Sequence, residues 1–281
     1  LKLLFMILTV FGLIFGLTAC KPTNVDDPGN GNVNDKDPDN GEDPIDAEWF
    51  TDLSVRDFRG NNGVVSAANP YAAKAGLDVL QAGGNAFDAA VAMSFALGVV
   101  EPNASGLGGG GIMVAYNANA GQYLSYNFRE FVPAAGTANV YGSSENTRGG
   151  IMSSGVPTQV AGLLKAQEDN GNLTRQEVLK AAIDYAENGV KVTPELAVNI
   201  NENVGKLMIS KDEIAGVFSD EFAIEFLQEG DTLIQKNYAK ALKLISEKGA
   251  SGFYEGEVAD AIVALQQAEG GIITHQDLLD E

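Results

Sequence analysis

The sequence is poor in the side chains from which metal and redox sites are made. Its 281 residues include one cysteine, Cys20, and one histidine, His275. One cysteine allows no intrachain disulfide and no cysteine-based metal site. One histidine excludes a multi-histidine zinc site. A Ser-His-Asp triad would have to use His275, and Thr274 before it marks that histidine as an exposed helix-start residue instead. Basic residues are also scarce: 18 Lys and Arg face 38 Asp and Glu, for a formal net charge of −20. With no basic block to offset that excess, recognition of nucleic acid or of an anionic membrane by charge is excluded. Nothing in these residues calls for a metal or an organic cofactor.

What the sequence does have is apolar content, 45% of residues, enough for a packed core. Its distribution divides the chain in three. Residues 1–20 read LKLLFMILTVFGLIFGLTAC. Lys2 precedes an apolar stretch, the layout of a secretory signal, and Leu17-Thr18-Ala19-Cys20 resembles a bacterial lipobox. That resemblance implies cleavage before Cys20, lipidation of Cys20, and anchoring to the outer face of the cytoplasmic membrane. An uncleaved membrane anchor is the alternative, since the run approaches spanning length. Residues 21–50 are rich in Asp, Asn, Pro and Gly. They cannot bury enough surface to offset ordering entropy and are expected to form a disordered acidic tether. Residues 51–281 form the globular part, of a size suited to one domain or part of one.

Within the globular part, Gly63–Ala68 reads as a short buried strand. Asn69 caps a helix with Pro70 at its first position, running to about Gln81. Asn85 caps the next, with Asp88 in its first turn as a carboxylate favoured by the helix dipole. That helix, Ala86 to Val100, is apolar on all faces and so should be buried. Glu101-Pro102 stops it. Four consecutive glycines follow, Gly108 to Gly111, then a hairpin: Ile112–Tyr116, a turn over 117–121, and Gln122–Phe128. The hairpin delivers Arg129-Glu130 at a strand end. Four glycines together imply positive φ or close approach by another backbone or a ligand. Gly106, Gly108 and Gly111 also match G-x-G-x-x-G. Dinucleotide binding would need a helix after the glycines, and here a strand follows, so that reading is rejected.

Further along, Ile151–Ser154 reads as a short strand, and Pro157 as the start of a helix ending before Gly171. Thr174-x-x-Glu177 is a capping box for a helix to Asn188. Thr193-Pro194 starts another helix. Asn237–Lys248 and Glu255–Ala268 are amphipathic, and Thr274-x-x-Asp277 caps a last helix, read as running to Glu281.

Several ordered blocks together resemble the large subunit of γ-glutamyltranspeptidases: GGNAFDAAVA, LGVVEPNASGLGGGG, FREFVPAAG, SSGVPTQVAGLL, GASGFYEGEVADAIV and GGIITHQDLLDE. The likeness runs from about Gly63 onward. Asn103 stands where that family frequently has histidine, and Thr158 where it frequently has glycine. The resemblance implies an α+β fold, the αββα sandwich of N-terminal-nucleophile hydrolases, of which this chain would hold an incomplete, helix-rich large-subunit portion. It also implies γ-glutamyl transfer from glutathione and related compounds to water or amino acids. The nucleophile is then a threonine that starts a small subunit cut from the same precursor, so no catalytic residue is expected in this chain. One substrate residue is: the arginine of the family's R-E-x-x-P-A motif, which grips the donor α-carboxylate, maps to Arg129. A structural ion pair of Arg129 with Glu130 or Glu101 is the competing reading. Two competing functions stand beside this one. The chain could be a non-catalytic surface lipoprotein or inactive truncated product, or a sibling acylase acting on poly-γ-glutamate or β-lactam side chains.

Overall fold

The computed structural model describes residues 60, 62–142, 150–209 and 227–280, without the side chains of 203–209. Cys20 and the segments 1–20 and 21–50 lie outside the described residues. The described residues all belong to the unit Ile45–Glu281.

Helix α1 spans Pro70–Gln81, and the Asn69 side chain accepts from Tyr71 N to cap it. Helix α2 spans Ala86–Val100. Asn85 and Asp88 form its capping box: the Asn85 side chain accepts from the Asp88 N–H, and the Asp88 carboxylate accepts from Asn85 N. This arrangement satisfies backbone donors that the first helical turn leaves unpaired. As its composition requires, α2 is buried around its circumference: Phe95, Ala96 and Val99 have no exposed surface. It packs on α1, on α4 (Gln159–Asn170) and on α5 (Arg175–Asn188).

Strands β1 (Gly111–Asn117) and β2 (Gln122–Phe128) pair antiparallel, from Gly111 opposite Phe128 to Asn117 opposite Gln122. Gly121, at φ 65°, closes the turn. A second antiparallel pair, β3 (Val190–Lys191) with β4 (Thr232–Leu233), covers two residues per strand. The remaining elements are helices: α3 (Ala138–Tyr141), α6 (Pro194–Ile209), α7 (Lys236–Lys248), α8 (Ser251–Tyr254), α9 (Glu257–Glu269) and α10 (His275–Leu279). The fold is α+β and helix-rich. Its core joins α1, α2, α4, α5, α7 and α9 through such residues as Val79, Phe95, Leu163, Leu179, Leu242 and Val263.

Four expectations change. Residues 63–68 are not a strand. Val65 and Ala67 pack on the core while Val64 and Ser66 face outward, so the alternation is that of a strand, but no described segment pairs with its backbone. Ile151–Ser153 is a 3-10 turn: it follows Gly150 at φ 75°, and Ser153 Oγ donates back to the Gly150 carbonyl. Helix α4 starts at Gln159, two residues after Pro157: Thr158, at φ −130° and ψ −4°, is its non-helical N-cap, and the Gly109 carbonyl accepts from both Thr158 N and Gln159 N. Helix α10 ends at Leu279 with Asp280 as its C-cap, short of Glu281.

Candidate functional site

Gly108, the first of the four glycines, lines the cleft, and Gly110 lies against the end of β2. None of Gly108 to Gly111 has positive φ, so close approach explains them. A Cβ on Gly110 would overlap the Phe128 carbonyl oxygen and come within 2.8 Å of both Glu130 N and Thr158 Oγ1. Glycine lets the loop lie flat against the end of β2. Gly108 has open space where its Cβ would be and faces the cleft. Under the loop, the buried Tyr238 hydroxyl accepts from Leu107 N at 3.2 Å. Burial pushes the Tyr238 phenol up, only partly opposed by that hydrogen bond, so the group stays a neutral prop.

Arg129 leaves the end of β2 at the rim of an open cleft of about 610 Å³, which Glu130, Tyr141, Met152 and Ser154 also line. Its side chain is 63% exposed, and Nη2 lies 3.2 Å from Glu130 Oε2. The competing reading of Arg129 is therefore half realised: it contacts Glu130, and no contact with Glu101 is found. The contact is loose. Glu130 Oε2 is buried yet accepts no hydrogen bond, so the two charges attract without a directed bond. Arg129 lines the cleft, and the contact with Glu130 engages Nη2.

Three bonds fix the backbone around it. Thr158 Oγ1 donates to the Phe128 carbonyl at 2.5 Å. Val156 N donates to the Phe131 carbonyl at 2.9 Å. Ala134 N donates to Asp277 Oδ1 at 2.7 Å. The strap 128–134 is thus held at both ends and in the middle, while Arg129, Phe131 and Val132 face outward. Sequence reasoning singled out Thr158 only as a departure from a pattern and Asp277 only as a cap. Their partners lie 30 and 143 positions away, a separation no local pattern registers.

Asp88 has no place in the cleft. It is fully buried and accepts from Asn85 N, Gln167 Nε2 and Asn172 N at 2.7–3.0 Å, which makes it a structural carboxylate. His275 opens α10, is about half exposed and lies 2.9 Å from Asp260 Oδ1. Among the described residues no group of three or more His, Cys, Asp or Glu is placed to hold a metal ion, and no helix is long and apolar enough to cross a membrane.

A guanidinium at the rim of an open cleft can grip a small carboxylate bidentately. Comparison with known proteins gives that geometry its setting. The solved structure of Helicobacter pylori γ-glutamyltranspeptidase matches with TM-score 0.74 and 34% identity over 79% of this chain and 65% of that one. The Bacillus anthracis transpeptidase CapD matches with TM-score 0.64 and 34% identity, over 79% of this chain and 69% of that one. The class is therefore that of the N-terminal-nucleophile hydrolases. The sequence model described as Gamma-glutamyltranspeptidase matches residues 72–280, and the chain belongs to the γ-glutamyltranspeptidase family. A glutathione hydrolase proenzyme of Pseudomonas sp. is 40% identical over 77% of this chain, and one from Escherichia coli 35% identical over 78%. The chain spans 38% of the length of each of those relatives.

Proposed function

We propose that this chain provides the donor-carboxylate grip of an enzyme that moves a γ-glutamyl group from glutathione and related compounds to water or an amino acid. The observation that carries the reading is Arg129, fixed at a hairpin end with its guanidinium largely free in the cleft. A γ-glutamyl donor has an α-carboxylate for Arg129, and the Glu130 carboxylate, which also lines the cleft, is the acceptor for its α-ammonium. With both fixed, the γ-carbonyl can be presented to a nucleophile. In this reading the nucleophile is the threonine that opens a small subunit from the same precursor, and its own α-amine serves as base. The γ-glutamyl ester then passes to water or an amine. This chain alone is inactive. Cys20, lipidated after cleavage of the leader, tethers the enzyme to the outer face of the cytoplasmic membrane; mass spectrometry of the mature N-terminus tests that, and a mature chain that retains residues 1–19 refutes it.

The test of Arg129 uses the complete precursor after self-cleavage, which a gel verifies. Arg129→Lys keeps the charge and loses the fork. Its KM for γ-glutamyl-p-nitroanilide should rise at least about tenfold, the equivalent of about 1.4 kcal/mol, close to the lower end of what a charge-assisted hydrogen bond contributes. An unchanged KM makes Arg129 structural.

A second reading is acyl transfer on a different amide, by a sibling acylase. It is favoured by the likeness to CapD and to the cephalosporin acylase of Bacillus halodurans, the latter with TM-score 0.69 and 30% identity. If poly-γ-glutamate, or β-lactam side-chain donors without an α-carboxylate, are turned over faster than glutathione, the second reading replaces the first.

A further inference from the structure

Asp277 makes two sets of bonds with its two oxygens. Oδ2 caps its own helix: Thr274 N donates to it at 2.8 Å and Thr274 Oγ1 at 2.6 Å. Oδ1 is not needed for that cap. It accepts from Ala134 N at 2.7 Å, across 143 residues of sequence. The carboxylate is buried, and Pro133, next to Ala134, is buried as well. A capping residue whose only task was α10 would have no use for the second contact. The strap it reaches carries Arg129 five positions back, pinned between by Val156 N on the Phe131 carbonyl.

We propose that Asp277 is a positioning residue: through Ala134 it fixes the strap that carries Arg129, and so sets affinity for the donor carboxylate. The inference rests on the reading of Arg129 given above. The charge state agrees with it. Burial pushes the Asp277 carboxyl up, but the bonds from Ala134 and Thr274 outweigh burial and hold it below its ordinary value. The group is therefore an anion at neutral pH, and an anion is the stronger acceptor for a backbone N–H. Asparagine at 277 has one carbonyl oxygen for two tasks, and its amide group, a donor, would face another donor.

The experiment compares four matured precursors: the parent, Arg129→Lys, Asp277→Asn and Thr274→Val. Thr274→Val weakens the cap of α10 and leaves Asp277 its bond to Ala134, so it controls for helix stability. Each is assayed with γ-glutamyl-p-nitroanilide and with the analogue whose α-carboxylate is an amide, and each is melted. Asp277→Asn should raise KM about fivefold for the carboxylate donor, with kcat changed less than twofold, and should leave KM for the amide analogue within twofold. Thr274→Val should lower the melting temperature and leave both KM values within twofold. If Asp277→Asn does not mature, Ala134→Pro, which deletes the donor and leaves the α10 cap intact, carries the same expectation. Equal KM shifts in Asp277→Asn and Thr274→Val, or no shift in Asp277→Asn, overturn the inference. Failure of Arg129→Lys to raise KM sinks the underlying reading instead, which separates the two.

Discussion

Helix α2 and the β1–β2 hairpin are neighbours in sequence, joined by the glycine run, and they meet water in opposite ways. Both are strongly apolar. Helix α2 is enclosed by α1, α4 and α5, so its hydrophobicity is fully used within the described residues. The hairpin is enclosed on one face. Met113 and Phe128 pack on the core, while Ile112, Val114, Tyr116 and Tyr123 stand on the other face, Val114 at 73% and Tyr123 at 80% exposure. A strand apolar on both faces is the pattern of a sheet covered on both sides. Hydrophobicity in α2 reports a face already covered; in the hairpin it leaves apolar side chains exposed among the described residues. Mutations in the two regions should therefore act on different observables.

The largest effect is expected at the N-terminal end of α2. Asp88→Ala removes the acceptor shared by Asn85 N, Gln167 Nε2 and Asn172 N. The bond from Gln167 Nε2 is buried and the two backbone bonds are part-buried; a stranded buried donor costs about 1–3 kcal/mol, so the loss should reach about 2 kcal/mol in denaturant unfolding. The same position also joins α2 to the turn after α4, since Asn172 follows that helix. A loss below about 1 kcal/mol would mean that the α2 end is no better fixed than the hairpin, and the contrast drawn here would fail.

How far the sequence discloses these two regions follows from the range of the interactions. Caps are local. Asn69, Asn85 with Asp88, Thr174 with Glu177 and Thr274 with Asp277 all sit where short-range pattern places them. The hairpin is local too, and its turn glycine marks it. The grip site is legible only in part. Arg129 is found by its motif, but the strap bonds from Thr158 and Asp277 are long-range and leave no periodic trace. The glycine run reads as a place of positive φ or of close approach; the second holds, and what approaches, the Phe128 carbonyl and Thr158, is visible only once the chain is folded. Residues 63–68 show the converse failure. Their period-two burial is real, and a strand assignment still needs a hydrogen-bonded partner that side-chain pattern does not report.

The C-terminal end of α2 should respond less, and in the opposite sense. Glu101 caps it, a poor place for a negative charge beside the negative end of the helix dipole. Burial, then repulsion from Glu195, pushes the Glu101 carboxyl up, with an opposing hydrogen bond from Asn69. A carboxyl raised in the folded state binds its proton more tightly there than in the unfolded chain. Stability then falls as pH rises from the ordinary value of 4.5 through the raised one, and the cost persists above it. Glu101→Gln should therefore stabilise at pH 7 by less than about 1 kcal/mol, the scale of partly exposed charge effects, and the gain should vanish below pH 4.5. A gain that persists at pH 4 would assign the effect to packing.

The smallest effect on stability belongs to the outer face of the hairpin, and there the informative observable is association. Val114 and Tyr123 point away from the core, on the face opposite Met113 and Phe128. Replacing both by threonine puts a β-branched side chain suited to a strand at each position and removes apolar surface that folding of the described residues does not bury. Tyr123 also loses its ring contact with Tyr116, at a centroid distance of 5.0 Å; an exposed cross-strand pair of this kind contributes roughly 0.2–1 kcal/mol. Unfolding midpoints of the chain should consequently shift by less than about 1 kcal/mol. Self-association through this face would lose the surface removed, because contiguous exposed apolar patches are sites of protein contact. Sedimentation of the chain over a concentration series should show weaker association for Val114→Thr/Tyr123→Thr than for the parent. If association is unchanged while stability drops by several kcal/mol, this face is covered within the chain, and the hairpin belongs with α2 rather than opposite it.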